Sequence, residues 1–294
     1  MTYMLSPITI LASFYKAGVN TANHDGVEHA GYLAFVGLLG LFPFLVFVVA
    51  LAGFFAEGQA GKEFIRLVLT QLPPDMVQGL APRITEISSR PPQGLLTVSI
   101  LGALWTSSSA LEGYRTVLNR AYRVDTPPAY IWRRLLSIAQ ILILSFVLVM
   151  AMIVLVVLPT GLGKVAVAAG QSGLALTHGQ IFCLTIAVIF AGVSIAYYYL
   201  PNLKQSVHAV APGAALVTML WIGAARLLSI YYSRFDKDNL IYGSIGGVIA
   251  TLLFFYIGNV LFIYGAEFNY LLKMALGEKI ELREAVQKVS GGGQ

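Results

Sequence analysis

This chain has few charged residues, and that scarcity excludes an ordinary water-soluble domain. Of its 294 residues, 11% are charged and 57% are hydrophobic, and its mean hydropathy is +0.75. Soluble domains carry about 25% charged residues, so a chain of this composition cannot hide its apolar surface in a water-soluble core. It also lacks any long polar segment that could form a separate soluble domain. The composition therefore predicts a polytopic membrane protein.

Other absences exclude several kinds of active site. The chain has one cysteine, Cys183, so an intrachain disulfide is impossible. It contains neither a glycine-rich nucleotide-binding loop followed by Lys and Ser or Thr, nor a G-x-S-x-G nucleophile motif. His24, Glu28 and His29 offer metal-ligand side chains, but their spacing matches no zinc signature. We therefore expect no catalytic residues, no metal and no cofactor.

What is present is a set of long stretches without Asp, Glu, Lys or Arg, each able to hold one membrane-crossing helix. They are residues 29–56, 91–111, 135–163, 165–203, 205–225 and 239–266. We place the fourth span at about 180–199, because the preceding part is rich in glycine. The second carries Ser107, Ser108 and Ser109, which suit the bundle interior better than lipid. These stretches predict an all-α transmembrane bundle of about six spans, as one domain over 1–275, with a partly disordered cytoplasmic tail, 276–294.

Two segments outside the spans are amphipathic. Residues 1–28 repeat apolar side chains at helical spacing, which predicts a helix in the membrane interface, with a plain soluble lead-in as the alternative. Residues 57–93 carry two apolar stripes separated by Pro73 and Pro74. These stripes predict two helices between the first and second spans, which lie on the outer membrane surface or cap the bundle.

The positive charges favour both termini in the cytoplasm. Cytoplasmic connections of membrane proteins carry an excess of Lys and Arg. The connection at 113–134 has five arginines against one aspartate, and six spans place it on the same side as both termini. The sequence therefore predicts a multi-pass protein with both termini inside.

The last hydrophobic stretch, residues 239–270, has two different faces on a helical wheel. Its small residues gather on one side, which suits close packing of a neighbouring helix or self-association between copies. The helix-packing candidates on this side are Gly243, Gly247, Gly258 and Gly265. Pro43 in the first span removes a backbone hydrogen bond and is a candidate kink or hinge.

Polar side chains at membrane depth are candidates to line a transport path, and the alternative is that they tie the bundle together internally. The path candidates are Glu112, Arg115, Arg226, Asn259 and Glu267. Glu112 and Arg115 are three residues apart on one helix face, so they can pair with each other. Arg226 has no partner nearby in sequence, which makes Glu267 or Glu112 on another helix its candidate partner.

Four blocks occur in order along the chain: EHAGYLAFVGLLGLFPFLVFVVALAGFF, GALWTSSSALEGYRTVLNRAYRV, PGAALVTMLWIGAARLLSIYYSRF and NLIYGSIGGVIATLLFFYIGNVLFIYGAEFN. They resemble the YihY/BrkB family of bacterial inner-membrane proteins, over about residues 5–275. The last block is the most specific. This resemblance implies a six-helix protein of the bacterial cytoplasmic membrane. Members have been labelled ribonuclease BN, a virulence or serum-resistance factor, and a transporter of lipid or envelope components.

Three functions follow as hypotheses. The first is a transporter or flippase-like protein for a lipid or another amphipathic envelope component. The second is a non-enzymatic membrane scaffold that oligomerises through its small-residue face. A ribonuclease is disfavoured, because RNA cleavage needs clustered metal-binding carboxylates or positioned acid and base groups in water, and the polar segments contain no such set. The expected partners are membrane lipids and further copies of the chain, and no nucleic acid.

Overall fold

A computed structural model of the protein describes residues 7–55, 95–124, 130–147, 178–235, 243–277 and 281, and this part of the chain is all-helical. It contains seven helices. They are α1 Pro7–Asn23, α2 Gly26–Phe55, α3 Leu95–Ala121, α4 Tyr130–Val147, α5 His178–Tyr199, α6 Val207–Phe235 and α7 Gly243–Ala275. The helical fold class and the N-terminal helix agree with the sequence predictions. The paired helices predicted at 57–93 and most of the tail predicted at 276–294 lie outside the described residues.

Four of these helices are long and apolar enough to cross a membrane. Their apolar segments are Gly26–Leu45, Tyr130–Val147, Val207–Ile230 and Gly247–Ala275. They fall on the first, third, fifth and sixth predicted spans. The apolar part of α5, Thr185–Tyr199, is shorter than the roughly 20 residues of a typical span. Four spans thus follow from the length and composition of the described helices, and the count of six stays a prediction.

The chain divides into two compact units. The first unit comprises Met1–Leu38, Glu112–Arg133 and Ile181–Gln294, and the second comprises Leu39–Leu111 and Arg134–Gln180. The division passes through α2, α3 and α4 and through the first turn of α5. The first unit therefore holds α1, α6, α7 and nearly all of α5, together with one end each of α2, α3 and α4.

In the first unit, α1 packs its small side chains against α7 and turns its large apolar side chains outward. Its buried residues recur every fourth position: Ser13, Ala17 and Thr21. Phe14 meets Tyr264 edge-on at 5.5 Å between ring centroids, and the Tyr264 hydroxyl donates to the Phe14 carbonyl at 3.0 Å. The outward residues Ile8, Leu11 and Tyr15 are 71–80% exposed. The apolar stripe predicted from the sequence is therefore available to a lipid surface rather than used in the core.

The contact between α6 and α7 depends on glycine. A Cβ added to Gly213 would collide with the Gly265 carbonyl and lie 2.5 Å from the Asn269 side chain. One added to Gly265 would collide with Val217, and one added to Gly258 would lie 3.0 Å from the indole nitrogen of Trp221. Small residues at a helix interface allow this close approach of the two backbones. Of the other two glycines singled out in the sequence, Gly247 is exposed and Gly243 is the first residue of α7.

In the second unit, α2 and α3 also meet at a glycine. A Cβ on Gly40 would lie 2.8 Å from that of Ala110, and the Ser107 hydroxyl donates to the Gly40 carbonyl at 3.3 Å. Ser107 and Ser108 are buried, as expected for serines inside the bundle. Pro43 lies within α2, which continues to Phe55.

We predict that Gly213→Ala lowers the thermal unfolding midpoint of the detergent-solubilised protein, whereas Gly223→Ala leaves it unchanged or raises it. Both glycines lie in α6, so each substitution gains up to about 1 kcal/mol of helix propensity. A Cβ at Gly223 meets no atom within 4 Å, but at Gly213 it forces α6 away from α7. Equal midpoints for the two variants would contradict the close contact.

Candidate functional site

The polar side chains of the first unit gather where α1 meets α2 and where α3, α5 and α7 end. The backbone amide of Asn202, after α5, donates to the side chain of Asn119 in α3 at 2.8 Å. The Lys204 amide donates to the Glu281 carbonyl at 2.7 Å. We call this region, which comprises residues 20–29, 112–124, 130–133, 200–206, 267–277 and 281, the polar end. It contains every connection and terminus that the sequence places on the cytoplasmic side, within the described residues.

Glu267 is the buried anion of the polar end. Its side chain is 2% exposed, and its two carboxylate oxygens each accept a hydrogen bond of 2.9 Å from the guanidinium of Arg123. Asn20 of α1 donates a further hydrogen bond at 3.3 Å, and His24 Nδ1 lies 3.7 Å away. A two-pronged arginine–carboxylate pair is among the strongest polar contacts in proteins. These residues join α1, the end of α3 and α7, and we call them the Glu267 cluster.

Arg123 reaches Glu267 because it occupies a strained turn. The amide of Val124 bonds the Asn119 carbonyl at 2.8 Å, and the Arg123 amide bonds the Arg120 carbonyl at 3.1 Å. This double pattern ends α3, with Arg123 in the left-handed position at φ 59°, where glycine is usual. An arginine in that conformation costs roughly 1–2 kcal/mol of backbone energy. The ion pair with Glu267 accounts for an arginine at a position that favours glycine.

A second, exposed ion pair lies beside the first. Arg120 bonds Asp25 at 2.8 Å, and the two side chains are 54% and 47% exposed. Arg120 also lies 3.1 Å from the Nε2 atom of His29. Asp25 has a φ of 56°, a conformation that aspartate adopts more readily than most residues. Both histidines considered as metal ligands in the sequence therefore face arginines in the structure. No three His, Cys, Asp or Glu side chains form a metal-binding group within the described residues.

Arg115 is fully buried and ties three helices. It bonds Glu112 at 2.9 Å, the Arg133 carbonyl of α4 at 3.0 Å and the Leu200 carbonyl after α5 at 3.3 Å. Arg133 in turn lies 3.1 Å from the second oxygen of Glu112. The predicted pairing of Glu112 with Arg115 is confirmed. Because its three acceptors lie on α3, on α4 and just after α5, Arg115 holds these three helices together.

Two buried asparagines complete the polar contacts of α7. Asn259, a path candidate from the sequence, is 5% exposed and hydrogen-bonds the Tyr114 hydroxyl. Asn269 accepts from the Gly213 amide at 2.7 Å, donates to the Val210 carbonyl at 3.1 Å, and also contacts the Tyr122 hydroxyl. Burial raises the pKa of Tyr122, and its hydrogen bond to Asn269 acts in the opposite direction. The side chain of Asn269 thus holds α6 at its closest approach to α7.

Arg226 does not pair with Glu267 or Glu112, and the proposed pairing is wrong. Gly213 of α6 lies beside Gly265 and Asn269 of α7, and Trp221 lies beside Phe254, so the two helices are antiparallel. Arg226 follows Gly213 by 13 residues, a rise of about 20 Å along the helix. It therefore lies far from the level of Glu267, whose partner is Arg123.

A cleft of about 500 Å³ opens at the polar end. Its walls come from the junction of α1 with α2, from the end of α3 and from the first turn of α4. The lining residues are Asn23, His24, Asp25, Thr116, Asn119, Arg120, Arg123, Val124 and Arg133. The charged side chains of this lining are three arginines and one aspartate. Such a surface can hold an anionic or zwitterionic polar group of a small ligand.

The family described as Virulence factor BrkB matches this chain over residues 18–289. The chain belongs to the YihY/BrkB family. The resemblance of its four sequence blocks is thereby confirmed. This is a family of multi-pass membrane proteins, so the membrane character predicted from composition is also confirmed.

Three relatives match most of the chain. YfkH of Bacillus subtilis strain 168, named as ribonuclease-like, is 32% identical over 85% of this chain and 90% of its own length. A UPF0761 membrane protein of Pseudoalteromonas atlantica is 24% identical over 90% of this chain and 88% of its own. Another, from Alteromonas mediterranea, is 25% identical over 87% and 84%. No solved structure matches the chain.

Sequence reasoning found Glu267 but missed its partner Arg123 and the role of Asn269. From the sequence, Arg123 was counted only as one of the five arginines in the connection at 113–134. The available signal was its position just beyond a long helix, at the same predicted side of the membrane as Glu267. A left-handed position at a helix end is normally recognised in a sequence by a glycine. Arg123 occupies that position without one, so the backbone conformation that directs its side chain toward α7 could not be predicted.

We predict that Glu267→Gln destabilises the protein far more than Asp25→Asn does. Removing one partner of a buried ion pair costs about 3–5 kcal/mol, and the 27% exposure of Arg123 places the loss near the lower value. The exposed pair of Asp25 is worth about 0–1 kcal/mol, and asparagine tolerates the left-handed backbone of that position. Reversible unfolding in mixed micelles measures both losses. Equal losses would show that burial does not distinguish the two pairs.

Proposed function

We propose that this protein crosses the bacterial cytoplasmic membrane six times, with both termini in the cytoplasm, and moves a lipid or another amphipathic envelope component. The observation that carries this proposal is the cleft at the polar end, where three arginines line a space of about 500 Å³. Its volume lies within the range of ligand pockets, about 300–1,000 Å³. Each of its arginines binds one carboxylate and keeps further N–H donors, since a guanidinium has five. Those donors suit the phosphate of a headgroup.

The surroundings of the cleft support an amphipathic cargo. The outward stripe of α1, with Ile8, Leu11 and Tyr15 largely exposed, lies on the helix that leads into the cleft wall at Asn23 and His24. A helix of this kind lies along a membrane surface. A cargo with a polar head and an apolar tail could place its head in the cleft and its tail along the apolar stripe of α1.

A membrane scaffold is the second candidate, and a specific observation favours it. Arg115, Glu112, Asn259 and Glu267 each have partners within the protein, so they act as ties in this conformation. Gly258 and Gly265 are also occupied by α6. A second copy of the chain would then have to use another surface of α7, such as the one around the exposed Gly247, Val248 and Ile249.

We propose no enzymatic activity and no nucleic-acid partner, although the relative YfkH is named as ribonuclease-like. Three carboxylates of the polar end pair with arginines rather than with one another: Asp25 with Arg120, Glu112 with Arg115, and Glu267 with Arg123. Metal-assisted RNA cleavage needs carboxylates that converge on a metal. Pairing with arginine directs these three away from that use.

Reconstituted protein is expected to move fluorescent phosphatidylglycerol across vesicles faster than protein-free vesicles do, and Arg120→Gln is expected to slow that transfer. One cation near an anionic headgroup contributes about 1 kcal/mol, or about fivefold in rate. Dithionite quenching of the outer leaflet measures the transfer.

The matched control is Lys16→Gln, which removes one exposed positive charge of α1 outside the cleft and should leave the rate unchanged. Absence of transfer by wild-type protein in tight vesicles would contradict the transport proposal. Wild-type transfer that Arg120→Gln leaves intact would contradict only the role of the cleft. The same preparation is expected to leave RNA intact.

The proposed orientation has its own test in a Cys183→Ser background. A cysteine at Ser206, which is exposed at the polar end, should react with a membrane-impermeant maleimide only after the cells are permeabilised. A cysteine at Ser88, in the predicted outer connection, should react in intact spheroplasts. The reverse pattern would place the polar end outside. Labelling of both sites in intact cells would contradict the odd number of spans predicted between Ser88 and Ser206.

A further inference from the structure

A second cavity lies in the first unit, at the other end of α6 from the polar end. It has a volume of about 370 Å³ and is formed by α5, α6 and α7. Phe182 and Ile189 come from α5, Trp221 and Ile222 from α6, and Phe254 from α7. Among its described lining residues, Arg226 is the one charged side chain. We call this cavity the Arg226 crevice.

The depth of Arg226 matches the level of lipid headgroups. Arg226 follows Val207, the first residue of α6, by 19 residues, a rise of about 28 Å along the helix. The hydrocarbon core of a bilayer is about 30 Å thick. If the polar end lies at one membrane surface, the guanidinium therefore lies at the level of the phosphates of the opposite leaflet.

The apolar walls extend from that level toward the middle of the membrane. On α5 they run from Phe182 to Ile189, a rise of about 10 Å. On α6 the walls run from Arg226 back to Trp221. The ring of Trp221 lies 5.7 Å from that of Phe254 in α7. A cation at headgroup level above an apolar groove of this length is complementary to a phosphate ester with an acyl chain.

Arg226 is also available to a ligand. It is exposed, and within the described ranges it makes no ion pair or hydrogen bond. The arginines of the polar end differ from it, because the fully buried Arg115 and the partly buried Arg123 already bind carboxylates. An arginine at headgroup depth gains about 1 kcal/mol from an anionic lipid, and guanidinium suits the phosphate geometry.

We propose that the Arg226 crevice binds an anionic glycerophospholipid of the leaflet opposite the polar end, with the phosphate on Arg226 and an acyl chain between Phe182, Trp221 and Phe254. The inference deepens the proposed function, because it names the lipid class and a second lipid site. It concerns binding, so it is tested without any transport.

The experiment is native mass spectrometry of the full-length protein, titrated separately with phosphatidylglycerol and phosphatidylcholine. The wild type should bind phosphatidylglycerol about fivefold more tightly, the factor for one cation beside an anionic headgroup. Arg226→Gln should remove one selective phosphatidylglycerol-binding step and leave any step at the polar-end cleft, and Arg226→Lys should retain both. Lys16→Gln, which removes an equal charge elsewhere, should keep the wild-type preference.

Ala225→Phe tests the acyl-chain part of the crevice, since Ala225 lines it and is exposed. This variant should weaken the binding of both lipids and leave the preference between them. Soluble glycerol 3-phosphate should not compete, because it has no chain to fill the groove.

Three results would overturn the proposal: no preference in the wild type, an unchanged number of selective phosphatidylglycerol-binding steps in Arg226→Gln, or effective competition by glycerol 3-phosphate. A variant that fails to fold is recognised by its lost thermal transition. Ala225→Phe then decides the question, because unchanged lipid binding in that variant would contradict the crevice. Selective binding without vesicle transfer would contradict transport alone, and transfer without this binding would contradict the crevice alone.

Discussion

A carboxylate among apolar helices must find a cation, and this requirement shapes one whole end of the protein. Isolated burial of a charge costs several kcal/mol, so Glu267, at 2% exposure, needs a close partner. Arg123 supplies it from the turn that ends α3, where its backbone adopts a conformation usual for glycine. The ion pair therefore ties the end of α3 to α7. Asn20 joins α1 to the same carboxylate.

The rest of the first unit follows from how closely helices approach α7. On one side, Gly213 and Gly265 bring α6 so near that Asn269 bonds the α6 backbone directly. On the other side, α1 presents Ser13, Ala17 and Thr21, and its large apolar side chains turn outward. Without a strong hydrophobic force between helices in lipid, small residues and hydrogen bonds supply the packing energy. Polar groups at membrane depth thus hold the helices together, and the two cavities lie beside these contacts.

This distribution changes what a polar residue in the sequence means. Five side chains at membrane depth were equal candidates for a transport path. Arg115, Glu112, Asn259 and Glu267 bind partners inside the protein, whereas Arg226 faces a crevice. The lipid proposals therefore rest on the arginines of the cleft and on Arg226. The arginines of the cleft each bind one carboxylate but keep further N–H donors for a phosphate, because a guanidinium has five. Arg226 has no carboxylate partner within the described residues.

The sequence by itself determined the membrane character, the helical class, the positions of most helices and the family, because hydropathy and the spacing of apolar residues are local properties. It also determined the pair of Glu112 with Arg115, which are neighbours on one helix face. Only the tertiary structure decided that Glu267 pairs with Arg123, that Asn269 holds α6, and that Arg226 lies about 20 Å along α6 from the level of Glu267. Those facts depend on the antiparallel register of α6 and α7 and on one strained turn. Register arises from close glycine contacts between distant segments, and no local pattern encodes it.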